Sequence, residues 1–358
     1  MKPLVLQHCT SPSAIGGPMS GLRLLMESEL ADLYRFETCF QDRPARGINI
    51  ALIREMAARI RDVRPDIFHI RGLLTDGFHA MVAARLARCR RVVLSAHGFT
   101  EDTMNYPRWR KLIVTKILEP LTVRAADVVY CVCEHGAARP VITRNARRHL
   151  GCIHNAIPIH DPEPPNPAIR ESLGFNGEDV IAICVTRITR DKGLLDLQKA
   201  MALLHSRGVQ HPKLLLVGDG PDLELITHRM QPLIESGRVV VLGRRDDVRS
   251  LLAISDLFVL PTFHENLSNA ILEAMCAGKA VLTTRVGGNP ELVMDGETGI
   301  LIEPANPELL ADALHSLSTN QQHRAKMGRA GRSRVEKHFS MPQWVKRIDA
   351  VYRELLQL

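Results

Sequence analysis

Short apolar runs alternate with longer amphipathic stretches along nearly the whole chain. In the first half the runs occupy 3–6, 35–40, 66–70, 91–96, 127–132 and 151–153; in the second they occupy 180–185, 213–217, 238–242, 257–260, 280–284 and 300–302. Most are rich in β-branched residues and apolar at consecutive positions, the pattern of strands covered on both faces. Helical periodicity fills intervals between them, at 51–63, 194–205, 269–277 and 308–317. Strand and helix in alternation predict an α/β chain of parallel sheets with crossover helices. At 160–166 the sequence HDPEPPN stops any regular element, and the seam between two doubly wound domains is expected there. Ligands of such sheets bind beyond the carboxyl ends of the strands, so both domains are expected to face a central cleft. A last amphipathic helix, 342–356, follows the second set, and its own pattern favours neither domain.

A chain of 358 residues is long for one domain and comfortable for two. With 45% hydrophobic and 24% charged residues, a disordered or fibrous protein is excluded. Aromatics, at 4%, are too sparse for a stacking platform, and no recognition motif accompanies the basic charge, so nucleic acid is not an expected partner. The net charge of +7 is unevenly placed: residues 1–160 hold 23 Lys and Arg against 14 Asp and Glu, and the rest has a slight acidic excess. An anionic surface or substrate is therefore expected to meet the first half alone. No run approaches the ~18–20 apolar residues of a membrane span, and the opening MKPLVLQ, with no long apolar stretch, makes a secretion signal unexpected. Several of the eight cysteines fall in strand-like runs (Cys131, Cys133, Cys184) or a helical run (Cys276), as in a reduced, cytoplasmic protein. Neither Cys131-Val-Cys133 nor the stretch with His149, Cys152 and His154 has a second half at zinc spacing, so no metal site is expected.

The most informative stretch begins at Pro261 and runs Thr-Phe-His-Glu-Asn-Leu-Ser-Asn-Ala-Ile-Leu-Glu. A strand ends at the proline, a polar loop follows, and a helix is expected to open near Ser268. Glu265 then lies in the loop at the helix mouth and Glu273 in an early turn. Free amides at Leu267, Ser268 and Asn269 make that mouth a phosphate site. Two carboxylates beside an anion site make sense when they accept hydrogen bonds from hydroxyls on either side of it, the layout of a nucleotide sugar. Taken alone, Glu265 also fits a carboxylate steadied by the helix dipole, and Glu273 a solvated helix residue. Another loop, Thr186-Arg187-Ile-Thr-Arg-Asp-Lys192-Gly193, leaves a buried strand with two cations able to clamp a diphosphate, or simply to face solvent. Gly218 opens a Gly-rich turn after a further strand, without the third glycine of a dinucleotide fingerprint. In the first half, Gly16 and Gly17 lie between a strand and a helix, where backbone amides can approach a ligand or merely turn the chain. His97 closes the strand 91–96, aimed at the cleft or satisfied within the structure.

Together these motifs resemble the retaining glycosyltransferases of family 4, whose fold is called GT-B. The paired glutamates Glu265 and Glu273, the run Glu273-Ala-Met-x-x-Gly278, Arg187 with Lys192-Gly193, and Gly287-Gly288-Asn289-Pro290-Glu291 stand in the family's order. Asn155-Ala-Ile-Pro158 and Phe339-Ser340 match as well, the latter before a helix that normally crosses back to the first domain. The resemblance implies two Rossmann-like doubly wound domains facing a central cleft: an acceptor domain at 1–160 joined by helix 341–358, a linker at 161–172, and a nucleotide-sugar domain at 173–340. It implies that Arg187 and Lys192 bind the donor diphosphate and neutralise the leaving group without a metal or other cofactor. Gly218, Asn266, Leu267, Ser268 and Asn269 would line the donor, Glu273 would hold the ribose and Glu265 the transferred sugar. His97 would lie near sugar and acceptor, and Gly16 and Gly17 near the diphosphate or acceptor. No residue stands out as a covalent nucleophile, which favours same-face attack through an oxocarbenium-like state.

One departure is Asn266, where the family commonly has glycine, placing a side chain where the donor sugar should lie. The implied activity is transfer of a sugar from a UDP- or GDP-linked donor to a saccharide or lipid-linked acceptor in bacterial surface polysaccharide or glycolipid synthesis. A sugar-nucleotide 2-epimerase of the same architecture and a non-catalytic nucleotide-sugar-binding subunit are the rival readings. Basic clusters at Arg85–Arg91 and at Arg108, Arg110, Lys111, Lys116 and Arg124 accompany Leu112, Ile113, Ile117 and Leu121 at helical spacing. These point either to an anionic membrane surface, with the protein peripheral on the inner face of the cell membrane, or to a solvated helix with its apolar side in the core.

Overall fold

The structure is a computed structural model and describes residues 2–10, 17–41, 47–103 and 107–357. Two compact units divide the chain. The first holds residues up to Ala156 and from Met341 onward, and the second holds Ile157–Ser340.

Six parallel strands form the sheet of the first unit: β1 (Leu4–Thr10), β2 (Arg35–Gln41), β3 (Ile67–Arg71), β4 (Val92–Ala96), β5 (Val128–Cys131) and β6 (His149–Cys152). Their order across the sheet is β2-β1-β3-β4-β5-β6. Six more build the second unit: β7 (Ile181–Val185), β8 (Lys213–Val217), β9 (Val239–Gly243), β10 (Leu257–Leu260), β11 (Ala280–Thr284) and β12 (Gly299–Ile302). Here the order is β12-β11-β10-β7-β8-β9. Each apolar run singled out in the sequence is a strand, displaced by at most a few residues at its ends.

The orders differ in one respect that matters for ligands. Strand order reverses between β1 and β3 in the first unit and between β7 and β10 in the second. At such a switch point the loops leaving the two strands part to opposite faces, which opens a crevice beyond their carboxyl ends.

In the first unit one face of the sheet packs Leu6, Phe68, Ile70 and Leu94 against the helices Ile50–Val63 and Thr75–Leu86. The longer of the two helices between the first two strands, α1 (Gly17–Met26), contributes Leu25 to the opposite face. There Val5, Ile67, Val93 and Tyr130 meet Trp344, Ile348, Val351 and Tyr352 of the C-terminal helix. The apolar side of that helix is thus satisfied by the first sheet.

The boundary falls earlier than the proline-rich stretch predicts. Residues 157–166 group with the second unit because that unit binds them: Arg332 donates to the His160 carbonyl at 2.9 Å, and Ser250 donates to Glu163 at 2.7 Å. Within the expected linker, Asn166 caps a short helix, Pro167–Ser172, by accepting from the Ala168 amide. Prolines here end regular structure without freeing the segment. All eight cysteines are free thiols, and burial pushes Cys131 and Cys184 up to about 12, so both behave as apolar core residues.

Candidate functional site

In the second unit the reactive side chains cluster at the switch point. The loop leaving β7 carries Arg187 and Lys192, and the loop leaving β10 carries Glu265. Backbone groups tie the two loops together: the Phe263 amide and the Thr262 hydroxyl both donate to the Asp191 carbonyl, at 2.7 and 3.0 Å. That stitching sets the Lys192 ammonium 2.9 Å from the Glu265 carboxylate, with both side chains mostly shielded from water. Burial alone would pull the Lys192 pKa down, but Glu265 and Asp191 beside it outweigh burial and hold it above the ordinary lysine value. Arg187, in contrast, is exposed, and its guanidinium has no partner among the described residues.

Two glycines permit this closeness. Gly218 follows β8 at φ +143°, and a Cβ there would lie 1.8 Å from the Thr186 carbonyl oxygen. Gly287 follows β11 at φ +52°, and a Cβ there would lie 1.6 Å from the Glu265 carbonyl oxygen. No side chain fits at either place, so both loops can press directly on the segments carrying Arg187 and Glu265. The Gly287 loop is fixed in turn by buried Asn289, which donates to the Thr283 hydroxyl and the Thr284 carbonyl.

The helix predicted near Ser268 is α2 (Asn269–Cys276). Ser268 is its N-cap, in extended geometry, with its hydroxyl accepting from the Ile271 amide. The first turn of α2 therefore begins directly after the Glu265 loop, with its positive dipole end beside the Lys192–Glu265 pair. Leu267 and Ser268 are buried, Asn269 half-buried and Glu273 exposed. The surrounding protein nevertheless holds the Glu273 carboxyl above the usual range, at about 7, through desolvation; solvent contact works against that rise. Asn266, expected to place a side chain where the donor sugar should lie, is buried. Its amide lies 3.3 Å from the His264 ring, and its carbonyl oxygen has no partner among the described residues.

In the first unit Gly16 lies outside the described residues, and Gly17 begins α1. His97, half-buried just after β4, has Nε2 3.1 Å from the Ser95 hydroxyl. Desolvation first, and the Arg71 charge second, lower its pKa to about 3, so the ring is neutral at physiological pH. The same Ser95 hydroxyl meets His69 at 3.1 Å, and His69 meets the Tyr352 hydroxyl at 2.7 Å. Sequence reasoning missed this network. Its only signal was the alternation of His69 and Arg71 on one face of a strand, with nothing to announce that Tyr352, far along the chain, would complete it.

The structure also bears on the reading of the basic segment as a solvated helix with its apolar side in the core. Along the helix Arg108–Ile113, the π turn Val114–Leu118 and the helix Glu119–Ala125, the side chains of Trp109, Leu112, Ile113, Ile117 and Leu121 are all exposed. Val114, Leu118, Glu119, Thr122 and Val123 are the buried positions. The apolar residues are therefore not the core side of a solvated helix. Among the described residues no helix is long and apolar enough to cross a membrane.

A family model for the glycosyl transferases group 1 matches residues 165–334, and one for glycosyltransferase family 4 matches residues 24–160. The N-acetyl-alpha-D-glucosaminyl L-malate synthase of Bacillus anthracis is 32% identical over 86% of this chain and 80% of its own length. The Escherichia coli UDP-Gal:alpha-D-GlcNAc-diphosphoundecaprenol alpha-1,3-galactosyltransferase is 26% identical over 86% of this chain and 82% of its own. Among solved structures, Anabaena HepE in complex with UDP-glucose superposes with a TM-score of 0.80 at 20% identity, covering 98% of this chain and 99% of that one; the likeness shows the GT-B fold. The matched models, the synthase relative and the paired glutamates in their loop and helix together place this chain in glycosyltransferase family 4, with the GT-B fold.

Proposed function

We propose that the chain is a retaining enzyme that takes a sugar from a UDP- or GDP-linked donor, held by the second unit, and passes it to a saccharide or lipid-linked acceptor in bacterial surface polysaccharide or glycolipid synthesis. The observation that carries this reading is the Lys192–Glu265 pair at the β7/β10 switch point, with unpartnered Arg187 on the same loop as Lys192. Arg187 and Lys192 take the donor diphosphate, and as the bond to the sugar lengthens they stabilise the charge gathering on the leaving phosphate, work that needs no metal. Glu265 turns from Lys192 to the sugar hydroxyls, and Glu273 holds the ribose. Gly218 and the segment from Asn266 to Asn269 form the walls, and the first turn of α2 supplies amides to the phosphates. Neutral His97, with Gly16 and Gly17, serves the sugar and acceptor side. Support for such a donor comes from the UDP-glucose bound by HepE and the UDP-Gal in the name of the E. coli relative, whose acceptor is a lipid diphosphate. A peripheral place on an anionic membrane is supported by the exposed apolar ridge and its basic flanks.

Thermal-shift titration with UDP, GDP and ADP, in EDTA, tests the donor reading. One nucleotide family should raise the unfolding midpoint, since a ligand at a hundredfold excess over Kd adds about 2.7 kcal/mol of stability. Loss of that shift in Lys192→Ala and Arg187→Ala ties it to the switch point. A folded chain that no nucleotide stabilises, or one that needs a divalent ion, would sink the metal-free donor site.

A further inference from the structure

Arg71 ends β3 at the switch point of the first unit, and its side chain is only 4% exposed. Its Nε donates to the Gln7 side-chain oxygen at 3.2 Å, while its Nη2 is buried with no partner among the described residues. No carboxylate among the described residues pairs with it. The groups around it are neutral: Gln7 donates to the Tyr352 hydroxyl at 2.9 Å, and that hydroxyl meets His69. Burial, reinforced by Arg71 itself, keeps His69 uncharged. Two other buried arginines find more partners: Arg324, 7% exposed, donates to the Leu317 and Ser318 carbonyls and pairs with Asp256, and Arg238, 4% exposed, donates to the Gln210 and Pro212 carbonyls.

A guanidinium without a counter-charge in such a place is expensive unless something supplies the anion. Location says where that anion comes from. Ligands of open parallel sheets bind beyond the carboxyl strand ends at the switch point. A Cβ at Gly21 would sit 3.8 Å from Arg71 Nη1, so the guanidinium runs beneath α1, whose N-terminal end is itself electropositive. Two positive elements converge here, and the fork of free N–H groups on Arg71 suits two oxygens of one planar or tetrahedral group.

We propose that Arg71 anchors a compact oxyanion, a carboxylate or phosphate group carried by the acceptor, at the β1/β3 switch point beside α1. This rests on the reading of the chain as a transferase whose first unit takes the acceptor. The site selects acceptors by charge: a neutral sugar leaves the guanidinium uncompensated, whereas an anionic one completes it.

The test titrates the chain with L-malate as a carboxylate probe and, separately, glycerol 1-phosphate as a phosphate probe, each against sodium chloride at matched ionic strength. One of the two probes should raise the unfolding midpoint saturably, and which one names the oxyanion. Arg71→Gln should weaken that binding at least about tenfold, and Arg71→Lys, which keeps the charge and loses the fork, by less. The UDP shift should be the same in all three proteins. If Arg71→Gln does not fold, the wild-type titration and Arg71→Lys carry the comparison. A wild-type chain that responds to neither probe overturns the proposal, as does an Arg71→Gln variant that binds the probe as tightly as wild type. When UDP shifts the chain and no anion does, the anion site is wrong and the donor reading stands. When an anion binds through Arg71 and no nucleotide binds, the site stands and the donor reading falls.

Discussion

Each unit sets a cation at the crevice where its strand order reverses, and the two cations are kept in opposite ways. In the second unit Lys192 has Glu265 at 2.9 Å, and backbone hydrogen bonds stitch the two loops that carry them. In the first, Arg71 is more deeply buried and has only a neutral amide for company. The paired cation has its counter-charge within the protein, and on the donor reading proposed above the carboxylate stands in until sugar and diphosphate separate the two charges. The unpaired one belongs to a site whose missing charge must come from the ligand. Sharing a layer architecture therefore does not make the units equivalent.

The comparison breaks most easily at Lys192. If the pair is preorganised for charge developing in the transition state, Lys192→Ala should lower kcat by about 10²–10³-fold, the loss typical of removing one donor to a developing oxyanion. Glu265→Gln should also lower kcat strongly, and the double variant should fall short of the sum of the two losses, because residues in contact do not act independently. Steady-state kinetics with the donor identified by thermal shift reads all three. Additive losses would show the pair to be a chance neighbourhood.

A second contrast concerns protons. Burial lowers the pKa of His8 to about 4 and that of His69 well below its usual value, and both lie in the first unit. Between about pH 6.5 and pH 4 the unfolded chain takes up protons that the folded first unit refuses. Stability is thus fully present above about 6.5 and falls as the pH drops, by up to roughly 1.4 kcal/mol per pH unit for each such histidine. Hydrogen exchange followed from pH 7 to pH 4.5 should show β3 and the C-terminal helix losing protection before β7 and β10 do. Equal loss in both units would mean that neutral histidines are not what distinguishes the first.

Much of this was legible in the sequence because parallel strands covered on both faces leave consecutive apolar residues, as most of the twelve do; β2, with the sequence RFETCFQ, does not. Glu265, Lys192 and Ser268 were legible because loop chemistry at a strand end is local. Arg71 was not, since its significance depends on Gln7 from a neighbouring strand and on the neutrality of Tyr352, a residue 281 positions away. The seam expected at 160–166 lies a few residues past the break after Ala156 for a related reason: proline content reports where regular structure stops, whereas Arg332 and Ser250, distant in sequence, hold the segment to the second unit.

The smallest expected effect on turnover sharpens the contrast from outside the crevices. Of the large apolar side chains exposed among the described residues, the second unit has only Met294 and Leu309, whereas the first has a ridge from Trp109 to Leu121 beside Arg108, Lys111 and Lys116. Val114, Leu118, Glu119, Thr122 and Val123 form the buried side of this segment at helical spacing, and the apolar residues of the ridge are turned to solvent. A ridge of this kind next to cations suits the boundary between head groups and acyl chains. The chain should sediment with vesicles containing phosphatidylglycerol and not with phosphatidylcholine alone, and added salt should release it. Each cation removed should cost about 1 kcal/mol of that binding, so reversing Arg108, Arg110 and Lys111 together should abolish it. Ile117→Asp should weaken it while leaving kcat on a water-soluble acceptor unchanged, because Ile117 is exposed and lies on neither pair of strand ends where the order reverses. Absence of binding at low salt would remove the membrane from the picture and leave the ridge as a contact for another protein.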